Sequence, residues 1–186
     1  MRPVRRPRMN QGDALALLRA AVPAADGEVW ADLGAGTGVF TRALATLVGP
    51  PGRVIAVDRD ATALEVLSAR TVDGGPAAPI ITVAGDVTEP LSLPPLDGVV
   101  MANVLHFVAD AEGVLARVAA MLRPGGRLVL MEYEGRRPGP WVPYPVDAAR
   151  FVELARDAGF TLPRVVAAQP SRFGGEIYVA VAERSP

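Results

Sequence analysis

Apolar residues along this chain fall into short, nearly unbroken runs that alternate with stretches in which they recur every three or four positions. The runs cover residues 29–33, 53–58, 80–84, 98–103 and 127–132. Between them, Val39, Phe40, Ala43, Leu44, Leu47 and Val48 lie at helical spacing, as do Leu64, Val66 and Leu67 within 61–70, and residues 111–122 and 146–158 continue the pattern. A further helix is predicted over 13–22, where Leu15, Leu17 and Leu18 precede the stop at Pro23. Punctuation falls where such elements should end: Pro50-Pro51-Gly52, Asp73-Gly74-Gly75-Pro76, the proline-rich link 90–95, and Arg123-Pro124-Gly125-Gly126. Unbroken apolar strands separated by helices indicate a parallel sheet covered on both faces, an α/β fold. The last strand candidates, 164–168 and 176–182, have only residues 169–175 between them. A connection that short suits an antiparallel hairpin, so the final strand should run against the rest.

Composition adds limits to this picture. With 186 residues, the chain should form one domain over 10–186, preceded by a flexible basic tail, 1–9, that carries Arg2, Arg5, Arg6 and Arg8 between Pro3 and Pro7. Half of the residues are hydrophobic and mean hydropathy is +0.25, yet no apolar run approaches the roughly 20 residues that span a bilayer. No membrane partner is expected, and without an apolar leader the expected location is cytoplasmic. The absence of cysteine removes disulfides and thiolate metal sites, and no metal site is expected. All 19 basic residues are arginine and the formal net charge is −1, which gives no overall attraction to nucleic acid.

The candidate chemistry centres on Ala31-Asp32-Leu33-Gly34-Ala35-Gly36-Thr37-Gly38, a strand end, an acid and a glycine-rich turn into a helix. Glycine there lets a ligand approach main chain, beside the unpaired N–H groups of a helix start. In an open α/β sheet, ligands lie beyond the carboxyl ends of the strands. Asp58, Gly85-Asp86-Val87 and Asn103-Val104-Leu105-His106 converge there with the glycine turn. Asp58 stands 22 residues after Gly36, the offset at which a carboxylate reaches ribose hydroxyls. A dinucleotide fingerprint would need a third glycine where Val39 stands, and a triphosphate loop would need a lysine that the chain lacks. An adenosine without a pyrophosphate fits better. An NAD(P)-dependent oxidoreductase and a non-catalytic cofactor-binding protein stay open as alternatives.

With these residues in place, the chain resembles the class I S-adenosylmethionine-dependent methyltransferases, of the small-molecule, ubiquinone-biosynthesis-like type (methyltransferase type 11/25). The resemblance covers residues 28–133 and includes Leu122-Arg123-Pro124-Gly125-Gly126-Arg127-Leu128 before the fifth strand. It implies a Rossmann-like doubly wound seven-stranded sheet of order 3-2-1-4-5-7-6 with the last strand antiparallel. It implies S-adenosyl-L-methionine as cofactor and S-adenosyl-L-homocysteine as product. Asp32, Gly34, Ala35, Gly36 and Thr37 would surround the methionine portion, and Asp58 would hold the ribose. Gly85, Asp86 and Val87 would lie beside adenine, and main chain at Asn103 and Val104 would face the methionine amine. Arg59 would cover adenine or point to solvent.

Methyl transfer from a sulfonium is an in-line displacement, so positioning supplies much of the rate and a base is needed only for a protonated acceptor. His106, the single histidine, suits a base by its ordinary pKa, or packing at the start of the next segment. Glu132, Tyr133 and Glu134 are alternative polar groups at the end of the fifth strand, and 135–145 is a proline-stiffened loop bearing Trp141 and Tyr144. So short an acceptor segment would leave the site shallow and open, or completed by the N-terminal helix or by a second subunit in a homodimer. The Asn-Pro-Pro-Tyr type of motif of nucleic-acid amino-methylating enzymes is absent, so a small molecule is the expected acceptor.

Overall fold

The computed structural model describes residues 9–23, 27–71 and 76–186. The basic tail, except Met9, and most of the 73–76 turn lie outside the described residues. Strands β1 (Val29–Leu33), β2 (Arg53–Asp58), β3 (Ile80–Ala84), β4 (Leu96–Ala102), β5 (Leu122–Glu134), β6 (Arg164–Pro170) and β7 (Glu176–Glu183) form one sheet of order β3-β2-β1-β4-β5-β7-β6. β1 pairs in parallel with β2 and with β4, and β4 with β5. β7 runs antiparallel to both β5 and β6. The predicted order and the reversed last strand are both present.

Helices α1 (Gln11–Leu18), α2 (Val39–Val48), α3 (Ala61–Ala69), α4 (Ala111–Met121) and α5 (Ala148–Asp157) cover the sheet. Strand alternation sorts the core. Trp30, Val54, Val100, Val129 and Met131 pack with Leu17, Leu18, Leu44 and Val48 of α1 and α2. Ala31, Leu33, Val99, Met101, Leu128 and Leu130 face Leu115, Val118, Phe151 and Leu154 of α4 and α5. Trp30 is aligned with Gly98 on β4, and a Cβ at Gly98 would lie 2.4 Å from the Trp30 ring. That strand glycine is therefore the space the indole occupies.

Several element boundaries differ from the sequence expectation by a few residues: α1 ends at Leu18 rather than 22, β4 starts at Leu96 rather than 98, and α5 is shorter at both ends. Two differences have a clear local cause. α1 begins at Gln11 rather than 13, because Asp13 is not the cap: Asn10 accepts from the Asp13 N–H, and Asp13 accepts from the Asn10 N–H. The predicted break at 123–126 is an excursion within β5 rather than a gap before it. Leu122 pairs with Leu96, and the ladder resumes at Arg127 opposite Gly98. Gly125 takes φ +75° there, while its N–H donates to Arg184 O and the Arg184 N–H returns to Gly126 O.

Candidate functional site

The strands deliver their carboxyl ends to one edge of the sheet, and helix capping there shows an asymmetry. Asp60, Asp110 and Asp147 each accept first-turn N–H groups of α3, α4 and α5. α2 begins at Gly38 with φ 81° and receives no side-chain cap. Between β1 and α2, Gly34, Gly36 and Gly38 all hold positive φ. Their reasons differ. A Cβ on Gly34 would lie 2.3 Å from Val104 Cγ2 and one on Gly38 2.1 Å from Leu67 Cδ1, whereas at Gly36 nothing stands within 4 Å. At Gly34 and Gly38 the missing Cβ thus leaves room for Val104 and Leu67, while at Gly36 the positive φ alone calls for glycine.

Asp58 secures this turn. One carboxylate oxygen accepts the Gly36 N–H at 2.7 Å and the other the Asp60 N–H at 2.9 Å. A carboxylate has about four acceptor positions, so each oxygen keeps capacity for a hydroxyl. Asp32 is 1% exposed and accepts from the Thr41 hydroxyl at 2.6 Å. Burial pushes its carboxyl up to about 6, against the lowering effect of the Thr41 bond, with the Asp58 charge adding to the rise. Asp86 behaves oppositely: the Thr88 N–H and hydroxyl on one oxygen, and then Arg59 near the other, hold its carboxyl below the usual range. Arg59 Nη1, exposed, stands 3.6 Å from Oδ2 of the half-buried Asp86.

A cavity of about 320 Å³ is lined by Gly34, Asp58, Arg59, Gly85, Asp86, Val87, Asn103 and Val104, with Thr88, Phe107 and Val108. Eight of the residues proposed from sequence therefore share one space. Asp32, Ala35, Gly36, Thr37 and His106 do not line it. Asp32 and Ala35 are buried behind the turn, and Thr37 is exposed.

His106 belongs to a second cavity, of about 580 Å³, with Asn103, Phe107, Tyr133, Arg136, Trp141, Val142 and Phe173. It sits in a single 3-10 turn after β4, Leu105–Phe107. Glu132, fully buried at the end of β5, takes Nδ1 of His106 at 2.6 Å on one oxygen and its backbone N–H at 3.2 Å on the other. A carboxylate there places the ring proton on Nδ1 and leaves Nε2 the basic nitrogen. Burial, reinforced by the Glu132 charge, raises the Tyr133 hydroxyl above its ordinary value, so it stays protonated. α1 contributes no residue to either cavity. The wall is built instead by the loop after β5 and the 171–175 hairpin tip. Asn103 and Phe107 line both cavities. Asn103 holds φ 57°, and its Oδ1 is buried without a partner among the described residues.

Sequence reasoning named His106 and Glu132 separately but not as a pair. Their link was available in the strand order, because β4 and β5 are parallel neighbours with Ala102 opposite Met131. Phe173 was missed: only the reversed β7 brings the 171–175 tip to this edge.

A sheet of this order with paired cavities at its carboxyl edge defines the class, and the comparisons name it. The chain belongs to the methyltransferase domain family, which matches residues 31–130. It is 34% identical over 172 residues to an uncharacterized 37.1 kDa protein in transposon TN4556 of Streptomyces fradiae, covering 78% of this chain and 47% of that protein. It is 36% identical over 104 residues to a ubiquinone/menaquinone biosynthesis C-methyltransferase of Stutzerimonas stutzeri, covering 55% of this chain and 40% of the relative. The chain thus spans less than half the length of these curated relatives. Among solved structures, the YcgJ protein of Bacillus subtilis superposes with a TM-score of 0.74 at 14% identity, over 94% of this chain and 99% of that one. Magnesium protoporphyrin IX methyltransferase of Synechocystis, solved with bound SAM, gives a TM-score of 0.71 at 19% identity, over 94% and 78%. No described helix is long and apolar enough to cross a membrane.

Proposed function

We propose that the chain is an S-adenosylmethionine-dependent methyltransferase that acts on a small molecule. The observation that carries this reading is the shared wall. A polar cavity suited to a nucleoside and an aromatic cavity with a buried His–Glu pair meet at Asn103 and Phe107. The polar cavity suits the cofactor: Asp58 has spare acceptor capacity for ribose hydroxyls, Asp86 remains ionised to accept from an adenine amine, and Val87 offers an apolar face. The glycine turn meets this cavity at Gly34 and would face the methionine end, and the partnerless Asn103 Oδ1 would accept from its ammonium. Asp32 acts one layer back, holding α2 through Thr41 so that the turn keeps its shape. Once bound, the cofactor supplies a methyl group carried on a sulfonium.

On the other side of the wall, His106 serves as the base. Glu132 orients its ring and stabilises the imidazolium that forms when Nε2 takes the acceptor's proton. Phe107, Tyr133 and Trp141 give the acceptor an aromatic surface to pack against. Titration calorimetry with S-adenosylhomocysteine and with NAD tests the cofactor assignment. The homocysteine compound should bind and NAD should not; the reverse order would move the chain to the oxidoreductases.

A further inference from the structure

The second cavity has an uneven charge pattern. Its lining residues include Arg136 but no acid, and Glu132 beneath it is engaged by His106. Arg136 is held in place. Its Nη2 donates to the carbonyls of Phe173 at 2.6 Å and Gly174 at 2.8 Å, and its guanidinium carbon lies 5.2 Å from the Tyr133 ring centroid. A guanidinium has five N–H donors, and Nε of Arg136 is buried with no partner among the described residues. Arg172, outside the lining, adds a second cation against one of its walls, 4.6 Å from the Phe173 ring centroid. Neither arginine pairs with a carboxylate among the described residues.

The rest of the lining is aromatic. Tyr133 neighbours both polar groups, with the His106 ring centroid 5.6 Å and the Arg136 guanidinium carbon 5.2 Å from its ring. Phe173 meets the Tyr133 ring edge-on at 6.5 Å, and Phe107 and Trp141 complete the walls. A fixed, half-buried cation without a counter-ion favours an anion, and its anchoring on two carbonyls removes much of the ordering cost of binding one.

Resting on the reading of this cavity as the acceptor chamber, we infer that the acceptor is a hydroxylated aromatic carboxylate. Its ring lies among Phe107, Tyr133, Trp141 and Phe173, its carboxylate meets Arg136, and its hydroxyl meets His106. In the transfer, an oxygen lone pair forms the new O–CH3 bond while the S–CH3 electrons remain on sulfur. The hydroxyl proton passes to His106, so the products are an aryl methyl ether and a neutral thioether. Arg136 determines specificity by reading the charged end.

Calorimetry on the full chain loaded with S-adenosylhomocysteine tests this with 6-hydroxy-2-naphthoate and its neutral counterpart, 6-(hydroxymethyl)naphthalen-2-ol. The carboxylate should bind at least tenfold tighter. Arg136→Gln should abolish that preference and Arg136→Lys should retain most of it, with S-adenosylhomocysteine affinity unchanged in both. Equal binding of the two probes, a preference that survives Arg136→Gln, or no binding of either probe to the loaded protein would overturn the inference. Failure of S-adenosylhomocysteine itself to bind would instead overturn the methyltransferase reading.

Discussion

Asp32 makes the fold sensitive to pH in a direction opposite to that of most carboxylates. Its folded value of about 6 lies above the ordinary 3.8. Below about pH 4 both folded and unfolded chains hold the proton, and nothing is lost. Between about 4 and 6 the unfolded chain ionises first, so stability falls as pH rises, and above 6 the loss levels off at roughly 3 kcal/mol. Asp32→Asn should flatten this segment, as urea denaturation at pH 4 and pH 7 would show. Asp58 acts on the ligand instead. Asp58→Ala is expected to weaken S-adenosylhomocysteine binding by about 1.5–3 kcal/mol, the worth of charge-assisted hydrogen bonds; calorimetry on the folded variant would read this directly. Asp58 was legible as a candidate because the acid proposed for the ribose follows the glycine turn at a characteristic distance. The separate reasons for Gly34, Gly36 and Gly38 were not, because they depend on Val104 and Leu67, which arrive from other elements.

Between elements, the decisive relation is the step from β4 to β5. It carries His106 and Glu132, 26 residues apart, to adjoining positions, and neither residue type nor local pattern announces the pair. If Glu132 orients the base, Glu132→Gln should lower kcat and displace its pH profile while leaving cofactor affinity unchanged. His106→Ala should cost about 100-fold or more in kcat. Steady-state rates across pH, compared with calorimetric affinity, separate this from simple packing, which would leave the profile in place. The β1–β4 contact makes a second prediction. Gly98→Ala drives a methyl into Trp30 and should destabilise the fold by about 1–3 kcal/mol, measurable by urea titration. Sequence patterning showed β4 as an apolar strand. Its glycine could not be interpreted without knowing that Trp30 lies alongside.

For the molecule as a whole, the polar cavity proposed for the donor is built by the first four strands and the segments that follow them, whereas the aromatic walls come largely from β5 onward. The family match ends at residue 130, and Tyr133, Arg136, Trp141, Val142 and Phe173 all follow it. This explains why the first cavity could be read from motifs and the second could not: the second is written in packing partners, without a fixed spacing. Trp141, 82% exposed, should be dispensable to the fold. Trp141→Ala is expected to change stability by no more than about 0.5 kcal/mol and to keep the stabilisation of about 2.7 kcal/mol that S-adenosylhomocysteine gives at a hundred times its Kd. Thermal melts with and without ligand would check both. The reversed run of β7 also has a practical consequence. The 171–175 tip is tied off by the Pro170–Glu176 pair, and doubling the length of a flexible loop costs only about 0.6 kcal/mol. Under the proposed function, a library confined to those five positions should therefore retool which cargo this scaffold accepts while leaving the proposed donor cavity untouched.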